Sequence, residues 1–486
     1  MTQKLSALDR YPLYRTDIGI EVHVQLNTAS KIFCSCSNAQ TDEPNAHICP
    51  ICCGYPGVLP VLNKEVVVSA IKAGIATHSK IASKSIFARK HYFYPDLPKN
   101  YQITQDKFPI CIGGHITITK EDGTQKNIRL IRIHIEEDAG KNIHAAFNNT
   151  SFVDFNRTGT PLLEIVSYPD IENAEEAKAY LKALRSIVQA LGISTGNMEE
   201  GSFRADTNIS VRKKDSSELG TRCELKNINS FKFIGDAIEY EIERQVELIE
   251  EGKKVTQQTL LWDTKNKVSQ PMRSKEEAAD YRYFPDPDLP IIEVSDTWIE
   301  EIRKNLPELP DHKLARLQNQ YSLTKYEADI LIEDKELADY YEQAAKHNHN
   351  KLLINWVLRD VMGYLKENKL TFATFKITPE KLASLTALVE KGTINSQAAR
   401  VVFETVALDG SEPADVVKAK GLEQIGDSAE LEKIIADIVQ NNPAMVAQYK
   451  SGKDKLFGFF VGQAMQKTQG KGNPVIINEL LKKHLA

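Results

Sequence analysis

The chain has 486 residues, 42% hydrophobic and 26% charged, with 61 Lys and Arg against 66 Asp and Glu. This balance excludes disordered, collagenous and disulfide-scaffold proteins, and at roughly 100–200 residues per domain it predicts two to four domains around large cores. The net charge of -5 excludes a protein that coats nucleic acid through bulk charge, so an RNA partner must meet a local surface. No stretch approaches the roughly 20 consecutive apolar residues of a membrane span, and the start MTQKLSALDR lacks a signal peptide's apolar core. A soluble, cytoplasmic protein without a membrane partner is expected.

Along the chain, residues 18–26 (IGIEVHVQL) alternate apolar and polar side chains, the pattern of a strand with one buried face. Glu21 and His23 share its other face, where a cation could be held between them. All seven cysteines precede residue 230, and five fall within residues 34–53. Clustered thiols in an odd number fit metal ligation better than disulfides. The pairs Cys34/Cys36 and Cys49/Cys52 have the spacing of two knuckles closing a tetrahedral zinc site, which leaves Cys53 outside. Four thiolates leave no open position for water, so the expected role is structural.

The loop KHYFYPDLPKNYQ at residues 90–102 is rich in aromatics and prolines, as is MRSKEEAADYRYFPDPDLP at 272–290. Both read first as packed surface loops and second as the rim of a nucleotide or RNA site. Residues 115–135 form two alternating runs around Asp122-Gly123, a β-hairpin signal. The returning strand carries Arg132 and His134 on its polar face and ends in Glu136, Glu137 and Asp138. Glu164 interrupts the apolar run Leu162, Leu163, Ile165, Val166, where an unpaired charge is costly and a cation is the usual partner. Glu21, His23, Glu136 and Glu164 together suit Mg(II) or Mn(II), with Glu137 and Asp138 as neighbours that could substitute.

Asn173 with Glu176 three residues on predicts a capped helix ending at Gly192, and residues 230–252 predict a second. Between them, RADTNISVR places Arg204, Asp206, Asn208, Ser210 and Arg212 on one strand face, and GTRCELKNINSF repeats the pattern with Arg222, Glu224 and Lys226. Guanidinium and amide groups in such a row suit an anionic, hydrogen-bonding ligand. From residue 296 the period becomes helical, as in 325–346 and 352–365. From Val446 onward, Lys450, Lys453, Lys455, Lys467, Lys471, Lys482 and Lys483 meet only Asp454 and Glu479. There is no GxxxxGK[ST], strand-linked GxGxxG, GxSxG or HExxH motif, which excludes the common nucleotide-binding and hydrolase signatures.

The segments IGIEVHVQL, FCSC with CPICCGYPGVLPVLN, KHYFYPDLPKNYQI, IEEDAGK, VDFNRTGTPLLEIVS, MEEGSFRADTNISVR, GTRCELKNINSFKF and MRSKEEAADYRYFPDPDLP occur in this order over residues 18–290. With the tail QGKGNPVIINELL, they resemble the B-subunit family of glutamine-dependent aminoacyl-tRNA amidotransferases, the GatB/GatE family. The resemblance implies an α/β (α+β) cradle domain with a mainly antiparallel sheet over 1–294, an all-α helical domain over 295–405 and a helical YqeY-like tail over 406–486. It implies that ATP phosphorylates the side-chain carboxylate of Glu-tRNA(Gln) or Asp-tRNA(Asn) and that ammonia displaces the phosphate. A glutaminase A subunit would supply the ammonia, since no Ser-rich amidase signature is present, and a small C subunit would complete the complex. By the same resemblance Mg(II) falls on Glu21, His23, Glu136 and Glu164, and zinc on Cys34, Cys36, Cys49 and Cys52.

ATP or acyl-adduct binding by Arg204, Asp206, Asn208, Arg222 and Lys226 is an expectation from residue chemistry, and tRNA contact by Lys467 and Lys471 fits the basic tail. Tyr168, Leu260 and Ala279 depart from the family pattern, which has Glu, Arg and His there. A competing expectation is a non-catalytic, zinc-stabilised scaffold that binds tRNA for a partner enzyme. It accounts for the knuckles and the tail but not for Glu164 beside Glu21 and His23. A stand-alone metal-dependent hydrolase would account for the carboxylates alone.

Overall fold

A computed structural model describes residues 6–144, 150–274, 280–424, 428–468 and 470–485. Ala279, with part of the 272–290 loop, lies outside the described residues. The chain divides into two units, 1–313 and 314–486.

The first unit is mixed α/β around a ten-stranded sheet. Its central strand, Tyr14–Gln25, pairs antiparallel with Pro161–Ser167 on one side and with Phe203–Lys213 on the other. Beyond Pro161–Ser167 lies the long hairpin strand Gln125–Glu137, joined to His115–Thr119 through the predicted turn, where Gly123 has φ +83°. Beyond Phe203–Lys213 come Cys223–Lys226, Gln258–Asp263 and Val268–Ser274; Cys223–Lys226 and Gln258–Asp263 pair parallel, the others antiparallel.

Alternation along the central strand decides the layers. Ile18, Ile20, Val22 and Val24 are fully buried in a core shared with the helices Lys64–Ala76, Ala174–Ala190 and Phe231–Glu250. At about 1.5–3 kcal/mol for each fully buried aliphatic side chain, this row alone fixes which face is inward. Glu21, His23 and Gln25 are thereby turned to the opposite, polar face. The helix Lys64–Ala76 lies close to the sheet edge at Gly74, where an added Cβ would come within 2.5 Å of Cys111 Sγ.

Asn173 Oδ1 accepts from the Glu176 amide as predicted, but the Glu176 carboxylate accepts from the Glu172 amide, so the reciprocal half of the capping box is not made within the pair. The helix Asp296–Lys304, grouped with the helical domain on periodicity, belongs to the first unit, with Ile302 buried in its core. In the second unit, which has no strand among the described residues, one core runs from Leu317 to Val417 and another from Leu431 to Leu485. The predicted helix over 325–346 breaks in two at Asp334, whose side chain caps Lys335–His347. The run over 352–365 contains a π-helical turn at Trp356–Val361. Among the described residues no helix is long and apolar enough to cross a membrane.

Candidate active site and thiolate cluster

Strand register brings distant residues into one row on the polar face. His23 lies directly opposite both Glu164 and Arg204, and Glu164 lies opposite His134. The next row along the face holds Asp206, Glu21, Val166 and Arg132. Glu136, two residues beyond His134, reaches the first row from the other side. The His23 ring nitrogen Nε2 lies 3.3 Å from Glu136 Oε1 and 3.4 Å from Glu164 Oε2. His23, Glu136 and Glu164 each offer a donor atom within 4.8 Å of the others, the arrangement of a metal-binding group.

The two carboxylates and the imidazoles around them act strongly on one another's charge. Burial alone would lower the His23 imidazole, but its contacts with Glu136 and Glu164 push it up to about 10. Burial opposes ionisation of Glu136, yet His134 and His23 hold it down to about 2, and Glu164 is likewise held well below the usual carboxylate range against burial by the two imidazoles. Two carboxylates held ionised beside an imidazole with some solvent access match the donor chemistry of a divalent cation.

Glu21 stands apart from this group. Two residues along a strand separate side chains by about 7 Å, and Glu21 Oε1 instead accepts from Asn208 Nδ2 at 3.4 Å. Its carboxyl is raised by burial and then by Glu164, Glu224 and Asp206, so it sits where an added cation would be favoured. Glu137 and Asp138 do not substitute for the cluster. Glu137 points to the opposite side, paired with the Lys99 ammonium and accepting from the Ile103 amide at 2.9 Å. Asp138, past the strand end, accepts from Arg204 Nη2 at 2.8 Å and Gln25 Nε2 at 3.1 Å.

The residues expected to bind an anion are partly gathered. Arg204, Asp206 and Asn208 line the polar face, each half-buried. Lys226 reaches Asp206 at 2.6 Å and Glu224 at 3.1 Å, and those carboxylates raise its ammonium although burial opposes it. Arg222 is exposed, just outside the Cys223–Lys226 strand. Arg212 is turned to Asp17 at 2.6 Å, at the far end of the central strand. Burial and then nearby charges, Asp106 first and Glu164 and Glu136 among the others, raise the Tyr283 phenol to about 12.

Cys34, Cys36, Cys49 and Cys52 converge as predicted, with Cys53 outside. Sγ···Sγ separations are 3.5 Å for Cys34–Cys52 and 3.8 Å for both Cys49–Cys52 and Cys36–Cys52. The edges of a tetrahedron with zinc–sulfur bonds of about 2.3 Å are about 3.8 Å, so the thiols fit zinc. The pattern did not reveal Lys31, which is fully buried and donates to His47 O at 2.7 Å and Cys52 Sγ at 3.5 Å. The Cys34 hydrogen bond, and Lys31 against burial, hold the Cys52 thiol down to about 4. In the second unit Lys467 is bound to Asp437, whereas Lys471 is half-buried near Gly421.

His134 and Thr104 also belong to this site but were not selected from sequence. Thr104 Oγ1 donates to Glu136 Oε2 at 3.2 Å. Alternation along 125–137 had put His134 on the face of Glu136, which was the available signal; nothing local marked Thr104.

A family model described as the GatB/GatE catalytic domain matches residues 16–300, and one described as a GatB domain matches residues 339–485. The B subunit of the aspartyl/glutamyl-tRNA(Asn/Gln) amidotransferase of Geotalea daltonii is 54% identical over 476 residues, covering 97% of this chain and 99% of its own. The protein of the same name from Syntrophotalea carbinolica is 50% identical over 473 residues, with 97% and 98% covered. That from Myxococcus xanthus is 51% identical over 469 residues, with 96% and 98% covered.

Proposed function

Because the chain belongs to the GatB/GatE family, we propose that it is the component that activates and amidates the side-chain carboxylate of misacylated Glu-tRNA(Gln), Asp-tRNA(Asn) or both. The γ-phosphoryl group of ATP moves to a carboxylate oxygen, releasing ADP; ammonia then adds at the carbonyl carbon, phosphate leaves with the carbon–oxygen bond, and the nitrogen loses a proton. The observation that carries this reading is the group His23, Glu136 and Glu164 on the polar sheet face, flanked by Arg204 and Lys226.

Phosphoryl transfer to a weakly nucleophilic carboxylate is governed by positioning and charge neutralisation. When bound, Mg(II) supplies the neutralisation of phosphate oxygens, and His23, Glu136 and Glu164, with Glu21 beside them, would hold it. Arg204, kept in place by Asp138, offers a guanidinium for an anionic oxygen across the strand from His23. Lys226, fixed by Asp206 and Glu224, offers a second cation, and Asn208 a neutral donor. Zinc at the four cysteines would pin the knuckles, a structural role.

Each of these relatives is named as one component of a larger amidotransferase, which implies a multi-subunit enzyme. We assign ammonia supply to a glutaminase A subunit, with a small C subunit completing the cytoplasmic complex. Lys471 and Lys467 are assigned to the tRNA body. The test follows amide formation by the complex with ATP, Mg(II), glutamine and Glu-tRNA(Gln), using Glu164 and Glu164→Ala chains. Loss of amidation by more than about 100-fold, or about 2.7 kcal/mol, with tRNA binding retained, is expected. Full activity of the variant would move the chemistry off this face and leave a scaffold role.

A further inference from the structure

We propose that His134 is a positioning residue of the carboxylate cluster: it holds Glu164 and Glu136 from the buried side and so fixes which carboxylate oxygens remain for a cation. This inference rests on the reading of His23, Glu136 and Glu164 as a divalent-cation site. His134 lies directly opposite Glu164 in the sheet and two residues before Glu136 on the same strand face. Its Nε2 is 3.1 Å from Glu164 Oε2 and 3.6 Å from Glu136 Oε2, and its side chain is 4% exposed. His23 meets the same two carboxylates with a side chain 21% exposed. Each carboxylate is therefore gripped between a buried imidazole and a more accessible one.

The two rings are not equivalent. His134 is not one of the three residues whose donor atoms lie mutually within 4.8 Å, so it acts through the carboxylates instead of joining them as a ligand. Its Nδ1 is buried without a hydrogen-bond partner among the described residues, which leaves Nε2 as the one atom through which it engages polar groups, donating its N–H toward Glu164. Both imidazoles use Glu164 Oε2. With both imidazole contacts on Glu164 Oε2, Oε1 is the oxygen left to bind. Glu136 divides its oxygens: Oε2 faces His134 and Thr104, and Oε1 faces His23. Without His134 the Glu164 carboxylate can rotate about its terminal torsion, which is broad and weakly restrained. Outer residues that orient metal-binding carboxylates change affinity by about 10–100-fold when removed.

The experiment measures Mn(II) binding to the full chain by calorimetry and electron paramagnetic resonance, for the wild-type protein and for His134→Leu, His134→Gln and Glu164→Gln. Gln carries an amide N–H close to the place of imidazole Nε2, whereas Leu keeps the volume and removes the donor. Affinity should fall about 10–100-fold in His134→Leu, stay within about threefold in His134→Gln, and fall furthest in Glu164→Gln. Wild-type affinity in His134→Leu beside a large loss in Glu164→Gln would overturn the positioning role and leave the cation site standing. Equal, complete loss in both His134 variants with melting temperatures unchanged would also overturn it, since His134 would then be a ligand. Should His134→Leu fail to fold, His134→Gln decides, because a binding loss as large as that of Glu164→Gln contradicts the proposal. Wild-type protein that binds Mn(II) no better than Glu164→Gln would refute the cation reading itself.

Discussion

Stripping metal from Cys34, Cys36, Cys49 and Cys52 should free four thiols together and unfold the knuckles while the sheet stays folded. Of the seven cysteines, Cys111 and Cys223 are buried elsewhere, and Cys53 lies outside the cluster and is partly exposed. The loaded protein should therefore present one thiol to a colorimetric reagent, and the chelated protein five. Structural zinc contributes about 10–16 kcal/mol in isolated finger peptides, as much as a whole domain's stability of about 5–15 kcal/mol. Of residues 29–61, however, only Ile32 and Phe33 join the large apolar core, so the energy lost is local to the loop. Loss also leaves the buried Lys31 ammonium facing thiols instead of a metal thiolate centre. Thiol titration, elemental analysis and limited proteolysis of one sample provide the assay: about one metal per chain, a titre rising from one to five, and new cleavage between residues 34 and 61. A titre of five in protein carrying no metal, with that loop still resistant to protease, would refute the reasoning.

Metal affinity at the His23 cluster should rise with pH toward about 10, because the cation must displace the proton that the carboxylates hold on His23; Mn(II) calorimetry at two pH values checks this, and a flat profile would exclude the imidazole as ligand. In the metal-free chain His23, raised above its ordinary 6.5, stabilises fully below that value and loses its contribution as pH climbs through about 10, whereas Glu136, lowered from 4.5, contributes above 4.5 and loses it as pH falls through about 2. Their joint contribution should be complete between pH 4.5 and 6.5, as read from melting temperatures. Lys99→Met should destabilise the first unit by about 3–5 kcal/mol by leaving Glu137 buried without its cation, and adding Glu137→Gln should restore most of the loss in urea unfolding. Lys471→Ala should reduce the salt dependence of tRNA binding by about one ion, and Lys467→Ala by less because Lys467 is already held by Asp437.

The parts of the fold that depend on local pattern were legible. Alternation at residues 18–26, the Asp122-Gly123 turn and the helix ending at Gly192 each follow from steric or hydrophobic rules acting within a few residues. Glu164 announced itself because a charge inside an apolar run needs a partner. The rest depended on register. Nothing near Glu21 in sequence indicates that it meets Asn208 instead of joining His23, and nothing near His134 indicates that it faces Glu164 across a strand boundary. Likewise, the ion pair between Lys467 and Asp437 spans two helices and escapes a charge count.

The central strand has one further consequence, which concerns the order of events at the ribosome. Tyr14–Gln25 is made well before its partners at 161–167 and 203–213. At about 5–20 residues per second, the strand waits roughly seven to thirty seconds with both edges bare. A nascent segment holding Ile18, Ile20, Val22 and Val24 is a template for pairing with other chains. Interleaved Asp17, Glu21 and His23 act as gatekeepers during that interval, since stacking identical strands would place like charges together. The polar row that later gathers His23, Glu136 and Glu164 thus first keeps the growing chain from associating with its neighbours.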